Sequence, residues 1–359
     1  MAVHIKSLHV ENFRGICDLD LENLNHVNII AGDNNSGKTS VLEALMLLRN
    51  PKDFNNILRI ARMRDMKSAS LYENFINLFP RDTDRMKISI HGKCKGEMVT
   101  VGLIGKEEII LLEADDLLQG GLKDYPEGLE INAFKGTFSC FLDPKLSNVA
   151  VEFHAHSKAT GRTIAAAKYL NAVYLSPLEH MRGNTFNRIV RDDQYKEICI
   201  SILRLFDPKI SDLLYLKNEI TGGSVEYIKH ETLGNMPIST YGDGIKKVLA
   251  LANGIAQAAN GVLMIDELET AIHAKYYDDI FRFMVKACKQ FNVQLFITTH
   301  SMEAIDKLLA TQAYDTQDED DIAVITFKKE PAGSRTLSRM LPGRRVYANR
   351  EAFGFEVRL

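Results

Sequence analysis

Three short stretches of the chain hold residue types that could do chemistry together. The first is Gly32-Asp33-Asn34-Asn35-Ser36-Gly37-Lys38-Thr39, which satisfies GxxxxGK[ST] at every fixed position and runs on into Ser40. Phosphate oxygens need several N–H donors converging on one point, and only a glycine-permitted loop can aim them inward. A helix beginning directly after the loop adds its positive N-terminal end. Lys38 supplies a flexible ammonium for the β- and γ-phosphates, and the Thr39 hydroxyl is a ligand for Mg²⁺. With glycine at about 7% of residues, four such fixed positions arise by accident in roughly 1% of chains this long. A strand before the loop and a helix after it lower that further. The spacing implies a nucleoside triphosphate site.

Gly261-Val262-Leu263-Met264-Ile265-Asp266-Glu267 is an apolar run ending in adjacent carboxylates. Side chains alternate along a strand, so Asp266 and Glu267 leave its end in different directions. One can face a Mg²⁺ shell, the role assigned to Asp266, while Glu267 addresses the attacking water. Adjacent acids at a strand end are common by themselves; the complete phosphate loop upstream gives these two a role. The third stretch, Phe296-Ile297-Thr298-Thr299-His300-Ser301, is another apolar strand with His300 at its tip. Ligands of parallel sheets gather at the carboxyl ends of strands, which makes His300 a contact of the γ-phosphate or the water.

These groups need elements to carry them. Val3 to Val10 and Val27 to Ile30 read as strands, and Ser40 to Leu48 as a helix. Pro51 to Arg85 is mixed and polar. Alternation punctuated by glycine predicts antiparallel strands at Met86 to His91, Met98 to Ile104, Glu108 to Glu113 and Val149 to His154. Ala172 to Leu175 reads as a buried strand and Asp192 to Phe206 as an amphipathic helix. Leu213 to Lys217 and Val225 to Lys229 form a hairpin around Gly222-Gly223. Helix Gly244 to Ala259, strand Val262 to Asp266, helix Ala274 to Gln290, strand Gln294 to Thr298 and helix Met302 to Leu309 then alternate, as in a parallel sheet. There is no internal repeat or sustained heptad. The acidic run Asp315, Asp318, Glu319, Asp320, Asp321 reads as a solvated loop.

The chain has 359 residues, 45% hydrophobic and 25% charged. That is two domains' worth or one large α/β domain with insertions, and it excludes wholesale disorder. Its 44 Lys+Arg against 47 Asp+Glu give a net charge of −3, so nucleic acid would have to meet a local patch. Cys17, Cys94, Cys140, Cys199 and Cys288 are scattered without a CxxC pair, which gives no disulfide framework or zinc site and fits a reducing cytoplasm. The N-terminus has no apolar signal region, and Asn253, Gln257 and Asn260 interrupt the most apolar stretch, so no membrane span is expected.

Phosphate loop, acidic strand end and strand-end histidine in this order resemble ATP-binding-cassette-type heads. More narrowly, the chain looks like the overcoming-lysogenisation-defect (OLD) and RecF-like branch of bacterial ATPases. The resemblance rests on Glu11-Asn12-Phe13-Arg14-Gly15-Ile16, on GDNNSGKTSVLEAL from Gly32 to Leu45, and on DELETAIHAK from Asp266 to Lys275. It covers residues 1–50 and 235–310 and is weak between them. It implies an α/β fold: a P-loop NTPase head of ABC/SMC type, with a mixed central sheet flanked by helices, an antiparallel β subdomain and a helical insertion. The ATPase lobe would be divided between residues 1–50, with the phosphate loop, and 236–310, with signature, acidic strand and histidine. A β-rich part falls at 51–170, a helical and hairpin insertion at 171–235, and a C-terminal strand with an Arg-rich tail at 311–359.

Such heads carry a signature loop, and Ser239-Thr240-Tyr241-Gly242-Asp243-Gly244 fills that place and caps the next helix. The serine of the transporter-type core is Gly242 here, which leaves backbone N–H groups at Gly242, Asp243 and Gly244 and the helix N-terminus as the contact. Ser239 would substitute only if the loop bends differently. The resemblance implies that the signature of one protomer completes the ATP site of another, so hydrolysis needs a homodimer or higher oligomer. It places Arg14 on the nucleotide and gives His273 either a role in holding the dimer-contacting loop or a structural one. The sequence does not place the family's Q-loop glutamine: Gln119 and Gln194 both lie in weakly matched stretches.

The expected activity is hydrolysis of ATP, with Mg²⁺, to ADP and phosphate. Three readings of its task compete. In the first, the chain is the ATPase of an OLD-like phage-defence or DNA-processing system. Fused relatives carry a TOPRIM nuclease after the head; residues 301–359 are too few for a domain of about 100 residues, so a separately encoded nuclease or effector is expected as partner. The second is a RecF-like clamp on duplex DNA. Arg335, Arg339, Arg344, Arg345, Arg350 and Arg358, and the stretch Arg59, Arg62, Arg64, Lys67, support it, without the aromatic interleaving of single-strand binders. The third, a transporter ATPase subunit, is opposed by Glu269-Thr270-Ala271-Ile272-His273, by the Asn-Phe-Arg element and by the missing signature serine.

Overall fold

The computed structural model describes residues 2–33, 35–64, 70–80, 86–111, 130–154, 168–182, 186–217, 223–314, 320–329, 336–354 and 356–357, with 328, 329 and 353 described by backbone alone. Ile5–Phe13 (β1) and Ile16–Leu21 (β2) form a hairpin, and Val27–Ala31 (β3) leads through the glycine loop into Lys38–Leu47 (α1). Phe54–Ala61 (α2) and Leu71–Ile76 (α3) precede Met86–Cys94 (β4), Glu97–Leu111 (β5), Glu130–Leu142 (β6) and Lys145–His154 (β7). The middle holds Ala172–Leu175 (β8), Asp193–Leu203 (α4), Ile210–Lys217 (β9), Ser224–His230 (β10) and Gly234–Pro237 (β11). Asp243–Gln257 (α5), Val262–Ile265 (β12), Tyr277–Gln290 (α6), Gln294–Thr299 (β13) and Met302–Leu309 (α7) alternate next. Ile322–Lys329 (β14), Thr336–Pro342 (β15) and Gly343–Phe353 (α8) follow.

The central sheet has the order β15-β14-β3-β13-β12-β8, parallel except for β15 at one edge. Strands β3, β12 and β13 are buried along their whole length, as parallel strands covered on both faces must be. Alternate residues divide between two cores. Ile29, Leu263, Ile265, Leu295 and Ile297 pack with Leu249, Phe281 and Ile305 from the helices of the last third. Ile30, Met264 and Phe296 face the other way, onto Val41, Leu42 and Leu45 of α1. Beyond α1 lies a second, fully antiparallel sheet of order β2-β1-β4-β5-β6-β7, which adds Leu8, Ile90 and Phe134 to the same core. Helix α1 is thus enclosed by two sheets, and every residue in it except Thr39 is buried. A helix in that position has no use for a polar stripe.

The structure departs from the sequence expectations at identifiable places. The strands expected at Met98 to Ile104 and Glu108 to Glu113 are one, β5. Lys106-Glu107-Glu108 breaks the apolar alternation, yet Lys106 Nζ pairs with Glu108 across one strand step at 2.5 Å, and Glu107 accepts from the Tyr72 hydroxyl at 2.7 Å. Gly105 pairs with Gly136 opposite, and the Phe134 ring covers both. Strand β6 carried no expectation. The mixed stretch after Pro51 contains α2 and α3, the latter capped by reciprocal bonds between Ser70 and Glu73. Helix α6 begins only at Tyr277, after a 3-10 turn at Ala274–Tyr276. Within the C-terminal strand and Arg-rich tail expected at 311–359, the described residues form the β14–β15 hairpin and α8. Asp320 and Asp321 are not idly solvated: Asp320 accepts from the Arg344 N–H at 2.8 Å and Asp321 pairs with Lys289 at 3.1 Å. Asp315, Asp318, Glu319, Arg335 and Arg358 lie outside the described residues. Strand β8 opens the segment expected as an insertion, yet it belongs to the central sheet beside β12. Among the described residues no helix is long and apolar enough to cross a membrane.

The entry to β12 is one of the tightest points of the fold. A Cβ on Gly261 would fall 2.0 Å from the Asn171 carbonyl oxygen, which accepts from Val262 N–H. Asn171 cannot easily yield, because its amide donates to Gln257 O and Ala259 O. Gly261→Ala is expected to lower stability by about 1–3 kcal/mol through overpacking, read as a drop in the urea midpoint; an unchanged midpoint would contradict this close approach.

Candidate functional site

The glycine loop leaves β3 with Gly32 at φ 150, passes Asn35 at φ 63 and enters α1 through Gly37 at φ 103. These left-handed conformations favour glycine, and Asn tolerates them. Asn34 lies outside the described residues. Lys38 curls back over the loop, its Nζ donating to Gly32 O at 2.8 Å and Asp33 O at 2.7 Å, with His300 Nδ1 at 3.4 Å. Burial lowers the Lys38 pKa, against the pull of Asp266, Glu267, Asp33 and Glu269. Among the described residues, no side chain caps the first turn of α1 and the buried Ser36 Oγ has no hydrogen-bond partner. Uncapped N–H groups beside an orphan hydroxyl and a buried ammonium fit a phosphate.

Strands β12 and β13 bring the acids and the histidine to the same edge. Asp266 is buried and takes hydroxyl donors from three elements: Thr39 at 3.0 Å, Tyr174 at 3.0 Å and Thr298 at 2.5 Å. Burial and the Asp266 charge push the Tyr174 phenol up, so it remains a donor. Glu267 turns away through a left-handed backbone at φ 49, its N–H donating to Thr298 Oγ1 at 2.8 Å. The strand end therefore sends one carboxylate into the hydroxyl cluster and leaves the other half-buried. His300 is set by its backbone N–H, which donates to Glu269 Oε1 at 2.7 Å, while Glu269 Oε2 is buried with no hydrogen-bond partner among the described residues. Thr39 and Asp266 form an oxygen pair that could hold a divalent cation.

Sequence reasoning missed Tyr174, Thr298, Glu269 and Lys247. Thr298-Thr299 at the end of an apolar strand and the Asp-Glu-x-Glu spacing were available signals; Tyr174 had none. Lys247 is buried on α5, with Nζ near Pro177 O at 3.4 Å. Burial brings its pKa down to about 8 against the attraction of Glu269, Glu267 and Asp266.

Other expected residues lie elsewhere. Gly242 is the N-cap of α5 without a side-chain cap, Asp243 pairs with Lys246 at 3.2 Å, and Gly244 packs against Phe206 and Ala271. Among the described residues no hydrogen bond joins Gly242, Asp243 or Gly244 to the glycine loop. His273 is exposed, its Nδ1 accepting from Lys275 N–H at 3.3 Å, and Gln194 sits exposed in α4. Gln119 is outside the described residues.

Arg14, expected on the nucleotide, is engaged by α1: its Nε lies 2.5 Å from Glu43 Oε2, and its guanidinium donates to Ile60 O. Arg64 completes the contact with two bonds of 2.8 Å to Glu43 and one of 2.9 Å to Ser40 Oγ. Ser40 is therefore engaged by Arg64. The reason is the burial of Glu43, whose side chain is 1% exposed: a carboxylate there demands cations, and burial pushes its pKa up even against both guanidiniums.

Residues 27–306 match the family model described as "AAA domain, putative AbiEii toxin, Type IV TA system". The chain belongs to this AAA-domain family. An ATP/GTP phosphatase of Helicobacter pylori is 22% identical over 332 residues, spanning 85% of this chain and 87% of that protein. The DNA replication and repair protein RecF of Shewanella woodyi is 24% identical over 349 residues, spanning 85% and 93%. An uncharacterized protein of Methanocaldococcus jannaschii is 40% identical over 88 residues, which cover 24% of this chain and 40% of that one. The crystal structure of an SMC head bound to the C-terminal winged-helix domain of ScpA superposes with a TM-score of 0.53 at 14% identity, covering 96% of this chain and all 100% of that one. An SMC head with an extended coiled coil, bound to the C-terminal domain of ScpA derived from Pyrococcus furiosus, gives 0.52 at 12% identity, covering 98% and 100%. The expected P-loop head of ABC/SMC type is the fold of this AAA-family ATPase.

Removing the Glu43 carboxylate would leave Arg14 buried and unpaired. Glu43→Ala is expected to destabilise the chain by about 3 kcal/mol, measured by denaturant unfolding, and a loss near zero would show the ion pair to be dispensable.

Proposed function

We propose that this AAA-family protein binds ATP with Mg²⁺ and hydrolyses it to ADP and phosphate, using nucleotide-driven dimerisation as a switch. The observation that carries the reading is the meeting of Lys38, Thr39, Asp266, Glu267 and His300 at the carboxyl ends of the adjacent strands β3, β13 and β12. Gly32, Asp33, Asn34, Asn35, Ser36 and Gly37 hold the phosphates through backbone N–H groups, and Lys38 leaves Gly32 O and Asp33 O to meet the β- and γ-oxygens. Thr39 and Asp266 would hold the cation, which when bound would neutralise charge on the phosphates. Glu267 orients the water and takes up its proton, and His300 contacts the γ-phosphate. Reactions of this class depend on positioning and on neutralising charge.

Gly242, Asp243 and Gly244 are the candidate contacts to the nucleotide of a second copy. The exposure of Gly242 and Asp243 supports this. In this reading the switch controls a separately encoded nuclease or effector of an OLD-like defence or DNA-processing system. The RecF relative, matched over 93% of its length, supports a second reading in which duplex DNA is bound directly, through Arg339, Arg344 and Arg345.

Lys38→Ala is expected to abolish ATP binding by equilibrium dialysis. Glu267→Gln should keep binding, slow hydrolysis at least about 100-fold and accumulate an ATP-bound dimer in light scattering; wild-type turnover in that variant would sink the mechanism. Duplex affinity that falls steeply with added salt would favour the DNA-binding reading, whereas absence of binding at low salt would leave the effector-switch reading standing.

A further inference from the structure

Beyond the far end of α1, cations outnumber acids among the described residues. Two adjoining clefts meet there and share Lys168. The smaller, about 330 Å³, is walled by Arg49, Arg188 and Tyr174. The larger, about 550 Å³, is walled by Lys52, Lys95 and Tyr169, with Glu97 as its carboxylate. That acid is already engaged, accepting from the Tyr169 hydroxyl at 3.0 Å. Lys95 donates to Tyr169 O at 3.1 Å, but Arg49, Lys52, Lys168 and Arg188 have no carboxylate partner among the described residues. Among the described residues, the buried Arg49 Nε and Asn50 Oδ1 have no hydrogen-bond partner.

An uncompensated group of cations in a concave site calls for a ligand with several negative charges. Lysines on flexible stems suit phosphates as point charges. The volumes are those of small-molecule sites, and the Tyr169 ring with Pro51 and Leu142 offers a wall for an uncharged part of the ligand. The smaller cleft also touches the strand-end site: Tyr174 lines it and donates to Asp266 Oδ2 at 3.0 Å. We propose that the clefts form a second phosphate-binding site, for a compact, multiply phosphorylated ligand of the nucleotide class, whose occupancy reaches Asp266 through Tyr174. The coupling rests on the ATP-site reading above; the binding does not.

Lys38→Ala removes the glycine-loop ammonium, so the clefts can be titrated by calorimetry with that loop disabled. Inorganic tripolyphosphate and a 5′-phosphorylated trinucleotide should both bind saturably, and adding Lys168→Glu and Arg188→Glu should weaken both at least about tenfold. With Lys38 intact, the two reversals should leave ATP hydrolysis alone unchanged and abolish the trinucleotide's effect on its rate. Tyr174→Phe should keep trinucleotide binding and also abolish that effect. The site is refuted if neither probe binds or if the reversals change nothing. The coupling is refuted if Tyr174→Phe hydrolysis still responds to the trinucleotide. A strand of about 30 nucleotides binding more than tenfold tighter than the trinucleotide would overturn the compact ligand in favour of an extended polymer. Absence of ATP hydrolysis in the unsubstituted chain would remove the strand-end reading and the coupling together, while the calorimetry still decides the clefts.

Discussion

The carboxylate of Asp266 is the point on which the strand ends converge. Thr39 reaches it from the start of α1, Thr298 from β13 and Tyr174 from β8. A buried carboxylate must be satisfied by donors, and these come from three separate elements rather than from local backbone. Their arrival fixes where α1 begins relative to the sheet edge. It also fixes Glu267, whose N–H is held by the same Thr298 oxygen that donates to Asp266. Any ion or phosphate taken up here enters a set of oxygens already held in place.

A second buried charge performs a similar service one turn further along α1. Glu43 needs Arg14 and Arg64, and those two guanidiniums come from the β1–β2 turn and from the segment after α2. The positively charged groups nearest the phosphate loop are thus divided in task. Among the described residues Lys38 is held by carbonyls and a histidine, which are easily exchanged for phosphate oxygens. Arg14 has a buried carboxylate, which is not.

This division explains how much of the site was legible in the sequence. Lys38, Thr39, Asp266, Glu267 and His300 stand in short patterns whose chemistry is local, so spacing alone brings them out. Tyr174 acts on a residue 92 positions away, through a strand pairing that no local pattern encodes. Arg14 stood in a recognisable element, but its partner was chosen by the burial of Glu43, and burial is a property of the fold. The same holds for the elements. Ala172–Leu175 and Met302–Leu309 are apolar at the right period and fall where periodicity puts them. Strand β5 crosses Lys106-Glu107-Glu108 because ion pairing, a tyrosine hydroxyl and the partner strand outweigh the broken alternation. The capping pair Ser70 and Glu73 was a readable helix start within a stretch whose composition hid it.

The enclosure of α1 has a consequence for when the phosphate loop can come apart. An amide of a surface helix reaches water by local fraying, but those of α1 have a sheet on either side. Solvent arrives only when one of the two sheets leaves, and that opening takes a large share of a hydrophobic core with it. The helix then belongs to the slowest-exchanging part of the molecule. The loop hung from its first turn inherits that persistence, so its cradle survives the local openings that loosen the rest of the surface.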